Sequence, residues 1–302
     1  MQQGKQHLAI GGGIQMDEFI SYLYQAAPKN VIIGENDCNL LVFGDGSCIP
    51  TEVKMLLLVV GCTDPITEHT ICELRKQYQN NATFKRLFDA GKKMAAIADI
   101  PFVMVGYKKC ELEAVDEKYI DSMSFLSRKI YPEIEGEEPA VYTSDKFVPY
   151  LYSLMKMECS DEGTKKEKNK HLADVFHIWS RSKLSSRLVK QDFDAIYNNQ
   201  DDFVMIEVKR SPAKTIEAWS PYRADGRNYD IQNQFAKMIH AAFFTFHHNG
   251  GDCNGSTRIG CYKILEVDMN QQENWIGYEK SILPAEKIID LLEQKDKEEG
   301  LS

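Results

Sequence analysis

The stretch from Gln191 to Arg210, QDFDAIYNNQDDFVMIEVKR, restricts the fold more than any other part of the chain. Asp192 to Tyr197 alternates polar and apolar residues as a half-buried strand does, and Phe203 to Ile206 is a short apolar run leading into Glu207-Val208-Lys209. Between them, Asn198 to Asp202 is a cluster of turn formers with no apolar residue, so a β-hairpin is expected. With the tip near Asn199–Asp201, antiparallel pairing sets Asp194 opposite Glu207. Strand side chains alternate faces, so Glu207 and Lys209 project to one side, as do Asp192 and Asp194.

Carboxylates and an ammonium gathered on one sheet face make a poor core, because unpaired buried charge costs several kcal/mol. They make a good site for Mg²⁺, which takes one or two carboxylates from a protein and keeps its other positions for water and phosphate oxygens. A metal held by Asp194 and Glu207 would lower the pKa of a bound water and neutralise charge developing on a phosphate. Lys209 would orient or deprotonate that water, or stabilise the phosphate in the transition state.

Asp194, followed after twelve residues by Glu207-Val208-Lys209, resembles the signature of the PD-(D/E)XK, or restriction-endonuclease-like, nuclease superfamily. The triplet form also occurs at Glu52-Val53-Lys54, Asp116-Glu117-Lys118 and Glu293-Gln294-Lys295. Only Glu207 follows a strand-like run and has an aspartate at the start of a preceding strand. The superfamily's Pro-Asp is here Phe193-Asp194. The resemblance implies an αβββαβ core, Mg²⁺ or Mn²⁺ as cofactor, and hydrolysis of phosphodiester bonds. It also implies that the Val208 backbone carbonyl joins Asp194 and Glu207 on the metal.

The neighbouring sequence offers the rest of such a core over roughly residues 170 to 270. Leu172, Val175, Phe176 and Trp179 recur at helical spacing, so His171 to Arg181 reads as an amphipathic helix, and Ser185 to Val189 as a first strand. Ile231, Phe235, Met238, Ile239, Ala242, Phe243 and Phe246 trace one face of a long helix ending before Asn249-Gly250-Gly251, and Arg258 to Val267 reads as a further strand.

Asp174 or Asp192 is a further candidate ligand. Asp174 and His177 also read as the solvated face of the first helix, and Asp192 as an exposed strand residue. Gln232 and Gln234 sit early on the next helix, where some subfamilies carry a glutamine followed four positions later by tyrosine; here those positions hold Ala236 and Met238. His240, His247 and His248 read as ordinary helix-end residues. The long polar segment from Arg210 to Tyr229 carries Lys214, Trp219, Tyr222, Arg223 and Arg227. Aromatics and arginines together suit base stacking and phosphate pairing, so Arg210 and these residues are candidate nucleic-acid contacts. The alternative is that Trp219 and Tyr222 pack over the sheet.

Net charge is −9, which by itself speaks against a nucleic-acid partner. From Thr164 to His240, however, fourteen basic residues stand against ten acidic ones, so phosphate binding confined to one surface is compatible with the balance. No run of eighteen apolar residues exists and Met1 to His7 is polar, so neither a membrane span nor a secretory signal is expected. The eight cysteines are scattered without zinc-type spacing and read as reduced thiols of a cytoplasmic protein, or a nuclear one if eukaryotic.

Polar, charged Glu158 to Asn169 reads as a linker, which gives an N-terminal α/β domain over 1–158 and a nuclease-like domain over 170–302. The first would serve regulation, target recognition or dimerisation. Its expected elements are a helix at Met16–Ala26, strands at Val31–Ile33, Leu40–Phe43 and Met55–Val60, helices within Glu68–Ala95, a strand at Phe102–Tyr107 and a helix at Phe147–Met157. Acidic Glu133 to Pro139 reads as a surface loop. Leu8 to Ile14, with three glycines, reads as a flexible turn or a phosphate cradle, but lacks a Walker lysine and a dinucleotide fingerprint.

The expectation is thus an α/β, metal-dependent nuclease with DNA favoured over RNA as partner and no separate organic cofactor. An RNase of the same fold under a nucleotide-sensing domain is the alternative enzyme. A catalytically silent nucleic-acid-binding or scaffold protein is the alternative from another class.

Overall fold

The computed structural model describes residues 18–34, 38–130, 138–159, 174–199, 202–210, 216–221, 226–248, 261–268, 276–284 and 287–298. Strand β3 (Glu52–Cys62) displays the plan of the molecule, because both of its faces are apolar. Leu56, Leu58 and Val60 join one buried cluster, whereas Met55, Leu57 and Val59 join another. A strand buried on both faces reads as a continuous hydrophobic run and belongs in the middle of layers.

Before β3 come α1 (Glu18–Ala26), β1 (Val31–Ile32) and β2 (Cys38–Asp45). After it come α2 (Thr70–Asn80), α3 (Ala82–Ala98), β4 (Phe102–Lys108), α4 (Glu117–Ser122), β5 (Ser124–Ile130), β6 (Ala140–Thr143) and α5 (Ser144–Leu154). The later part holds α6 (Val175–Lys183), β7 (Leu188–Asp192), β8 (Ala195–Asn199), β9 (Asp202–Arg210), α7 (Gly226–Met238), β10 (Ala242–His248), β11 (Cys261–Asp268), β12 (Ile276–Pro284) and α8 (Ile288–Glu298). The class is α/β, with two mixed six-stranded sheets ordered β6-β5-β4-β3-β2-β7 and β1-β8-β9-β10-β11-β12.

Helices α3 and α7 fill the space between the sheets. Phe84, Leu87 and Met94 of α3 and Tyr229, Ile231 and Phe235 of α7 share one cluster with Leu56 and Leu58 of the first sheet and Phe203 and Met205 of the second. Helices α4, α5 and α6 cover the outer face of the first sheet through Ile120, Phe147, Phe176 and Trp179. Helices α1 and α8 cover the outer face of the second through Phe19, Leu23, Ile288 and Leu292. Close approach of α3 needs Gly91, where a Cβ would lie 2.8 Å from Leu40 and from the Phe102 ring. Among the described residues no helix is long and apolar enough to cross a membrane.

Each sheet takes an edge strand from the other half of the sequence. β1 pairs with β8 (Val31↔Tyr197), and β7 pairs with β2 (Leu41↔Asp192). The expected first strand at Ser185–Val189 is therefore β7, shifted and placed in the other sheet. The expected single strand from Asp192 to Tyr197 is broken, with Phe193 and Asp194 carrying the chain from β7 to β8. The triplet at Glu52 opens β3, and that at Glu293 lies within α8.

The largest departure from the sequence reading follows α7. The expected helix to Phe246 stops at Met238, and Ala242 onward forms β10, parallel to β9 with Phe244 opposite Ile206. His240 takes a left-handed φ of 56°, its N–H bonds to the Lys237 carbonyl, and the Ala241 N–H bonds to the Ala236 carbonyl at 2.8 Å. That is a Schellman stop made without the usual glycine. A left-handed residue with a side chain costs roughly 1 kcal/mol. His240→Gly is accordingly expected to raise unfolding free energy by up to about 1 kcal/mol. Urea denaturation measures it, and a loss of stability would show that the imidazole holds the turn by other contacts.

Candidate active site

The hairpin places Glu207 and Lys209 as the alternation requires, while Asp192 ends β7 and Asp194 lies in the link to β8. β8 and β9 are antiparallel with Ala195 opposite Ile206 and Asn199 opposite Asp202, so one step beyond β8 brings Asp194 level with Glu207. Odd-numbered residues of β9 face the middle layer with Phe203 and Met205, and even ones face α1 and α8. Glu207 and Lys209 thereby point toward α7.

The contacts are short and specific. The Val208 N–H donates to Asp194 Oδ2 at 2.6 Å. Lys209 Nζ donates to Glu207 Oε1 at 2.7 Å, and Gln232 Nε2 on α7 donates to Glu207 Oε2 and to the Asp192 carbonyl, both at 2.8 Å. Lys209 Nζ also lies 5.3 Å from the Tyr229 ring centroid. Gln232 is fully buried, and its Oε1 has no partner among the described residues.

Electrostatics mark the pair as strained. Desolvation and the Glu207 charge raise the Asp194 pKa well above the usual carboxylate range, while the Val208 N–H opposes the shift. Asp194 retains solvent contact, so repulsion by Glu207 is the firmer of the two causes. Glu207 is also raised, by its own burial, with Lys209 acting against the shift and Asp192 adding to it. For Lys209, burial works against the charge, and Glu207 outweighs it, so the ammonium is held more firmly than usual. The Glu207 carboxylate thus favours the charged form of Lys209.

A divalent cation fits this donor set. Each carboxylate oxygen has two lone pairs, so Glu207 keeps acceptor capacity beside Lys209 and Gln232. Asp194 Oδ1 accepts nothing among the described residues. Two neighbouring carboxylates whose pKa values are both raised gain from a shared cation. At Val208 the contact with Asp194 is made by the backbone N–H.

The other sequence candidates divide. Asp192 ends β7, accepts from Gln191 Nε2 at 3.3 Å, and is near enough for its charge to act on both Asp194 and Glu207. Asp174 is placed elsewhere: it caps α6, accepting from the His177 N–H at 2.6 Å, and α6 packs on the outer face of the first sheet. A short-chain acid just before a helix is well placed to satisfy a free N–H, and that is its role here. Burial, with Lys190 and Arg181 adding to it, lowers the His177 pKa to about 3, so this ring stays neutral.

Of the proposed nucleic-acid contacts, Arg227 is exposed on the first turn of α7. Lys214, Tyr222, Arg223 and the Arg210 side chain lie outside the described residues. The glycine stretch Leu8 to Ile14 and most of the expected linker also lie outside them. Trp219 is 3% exposed and stacks on His247, ring centroids 4.2 Å apart and 6° from parallel, so it packs and does not offer its face to a base.

His247, read from sequence as a helix-end residue, lies fully buried in β10 beside Lys209, and its Nδ1 sits 3.0 Å from the Lys209 carbonyl. Burial lowers its pKa to about 4, so the ring is neutral near pH 7 and donates through Nδ1. Buried Lys263 donates to the carbonyls of Glu217 at 2.7 Å and Trp219 at 3.0 Å. Residues 216–221 are thereby fastened to β10 and β11 next to Lys209. Nothing in the sequence signalled His247 or Lys263; each became visible only once β10 was seen as a strand.

No protein-family model, curated protein or solved structure matches the chain.

Proposed function

We propose that this protein is a metal-dependent nuclease that hydrolyses phosphodiester bonds, with Asp194, Glu207 and Lys209 as its catalytic residues. The observation that carries the reading is the opposition of Asp194 and Glu207 across a hairpin, with Lys209 beside Glu207 and a helix and parallel strand following. That order of β8, β9, α7 and β10 matches the later part of the αβββαβ core expected from the resemblance, while β7 lies in the other sheet.

Asp194 and Glu207 would hold Mg²⁺ or Mn²⁺, with Asp192 near enough to add charge. Bound there, such an ion would activate water and neutralise phosphate charge. Gln232 holds the Glu207 carboxylate in place and spans to the end of β7, so it keeps the two halves of the site in register. Lys209, fixed by Glu207 and by the His247 contact to its backbone, presents a positive charge to the substrate phosphate. DNA is assigned before RNA by analogy with the superfamily.

The test is cleavage of mixed DNA and RNA by the purified chain with Mg²⁺, Mn²⁺, Ca²⁺ or excess EDTA. Mg²⁺ and Mn²⁺ are expected to support cleavage, and Ca²⁺ to support binding alone, because its looser coordination activates water poorly. Cleavage that persists in EDTA, or no cleavage of either nucleic acid with any metal, overturns the reading.

A further inference from the structure

A cavity of about 390 Å³ lies away from the hairpin, between helices α2 and α3 and the strands β4 and β5. Its size falls within the roughly 300–1,000 Å³ of small-molecule sites. Tyr78, Phe84 and Phe88 form an aromatic wall, with Tyr78 edge-on to Phe88 at 5.2 Å and to Phe84 at 6.5 Å between centroids. Leu74, Met104 and Ile130 complete an apolar floor. Three cations, Arg75, Lys92 and Arg128, reach the same cavity, and no carboxylate is among its described lining residues.

Lys92 and Arg128 are half-buried and Arg75 is exposed. Among the described residues Arg75 and Lys92 have no ion-pair partner, and the nearby Asp89 is engaged by the Tyr78 hydroxyl at 3.0 Å. An anion seated at this recess would give Arg75 and Lys92 a charge partner against an apolar, partly desolvated wall, where pairing is stronger than in open water. Two of the three are arginines, whose planar fork matches phosphate oxygens.

We propose that this cavity binds a small amphipathic anion, a flat aromatic body bearing phosphate, with the ring against Tyr78, Phe84 and Phe88 and the phosphate toward Arg75, Lys92 and Arg128. An aryl phosphate and a nucleoside monophosphate share this chemistry. The site is independent of the hairpin and of the nuclease reading.

Two fluorescent probes test it on the full chain: anionic anilinonaphthalene sulfonate and its neutral analogue phenylnaphthylamine. Both are expected to bind saturably. The double variant Arg75→Glu/Lys92→Glu, changed at non-core positions, is expected to weaken the anionic probe about tenfold or more and the neutral probe less than about twofold. Should that variant lose its circular-dichroism signal, Arg75→Gln/Lys92→Gln takes its place, and unchanged anionic affinity there overturns the proposal. Absence of saturable binding, or equal response of the two probes, also overturns it. Displacement of the bound anionic probe by adenosine monophosphate or by phenyl phosphate then distinguishes the two sources, and displacement by neither rejects the phosphate.

Discussion

Asp194→Asn is expected to reduce cleavage on the order of a thousandfold while leaving the fold at least as stable as before. The two effects have one origin. Burial raises both carboxyls and the Glu207 charge adds to the rise at Asp194, so the folded chain holds protons on this pair more tightly than the unfolded chain does. Between the ordinary carboxylate pKa of about 4 and the raised folded value, the folded state binds more protons. Stability from this pair therefore falls as pH rises through that window and levels off above it.

Asparagine keeps an oxygen to accept the Val208 N–H and removes the charge. Asp194→Asn should then flatten that decline and raise the melting midpoint near pH 7. Glu207→Gln should lose cleavage equally but destabilise, because it strips Lys209 of its partner. In the wild type, Mg²⁺ is expected to raise the midpoint, by about 2.7 kcal/mol of unfolding free energy at a hundredfold excess over Kd, and Asp194→Asn should abolish that rise. Nuclease assays with melting curves at several pH values measure all of this. Retained cleavage by folded Asp194→Asn removes this residue from the site, and a loss of stability removes the repulsion argument.

The hairpin was legible in sequence because its evidence is local. Alternation, a turn cluster and a two-residue periodicity all lie within twenty residues, and the observed register sets Asp194 beside Glu207. The helices around Trp179 and Ile231 were legible for the same reason. Two features were not. Helix α7 ends at a left-handed His240, where no glycine announces the stop. The following Phe243, Phe244 and Phe246 are buried on both faces of β10, so their spacing fits a helix as well as a strand.

The exchange of edge strands was hidden for a different reason. The pairing of Leu41 with Asp192 joins residues far apart in sequence, and an apolar run does not state which sheet it will enter. The site inherits this: Asp194 sits where the chain passes between sheets, and its neighbours Glu207 and Asp192 are joined by Gln232, which in sequence is only half of a motif that does not complete. Its hydrogen bonds to Glu207 and to the Asp192 carbonyl give it a positioning role that does not need the missing tyrosine.

Arg187→Ala is expected to lower the unfolding free energy, because it strands the buried carboxylate that fastens β7 to β2. Asp45 is 3% exposed and accepts from Arg187 Nε at 2.9 and 3.2 Å, and from the Ser47 hydroxyl at 2.6 Å and the Ser47 N–H at 2.9 Å. The Arg187 side chain is 41% exposed, so solvent screens much of the loss that breaking a buried pair would cause. The guanidinium, with Ser47 assisting against burial, holds the Asp45 carboxyl far below its ordinary range. A depressed folded pKa adds stability that is complete above the unfolded value of about 4 and is lost as pH falls through the folded one. The wild type should therefore weaken on acidification below about pH 4, and Arg187→Ala should show a shallower fall there. Arg187→Lys should recover only part of the loss, since an ammonium cannot reproduce the fork. The tie lies at the far end of β7 from Asp192, about 13 Å along the strand at 3.3 Å per residue. Cleavage per folded molecule is accordingly expected to survive in Arg187→Ala, measured below its melting midpoint. If stability is unchanged, β7 is held by its backbone ladder and apolar contacts alone; if cleavage vanishes in the folded variant, the edge strand positions Asp194.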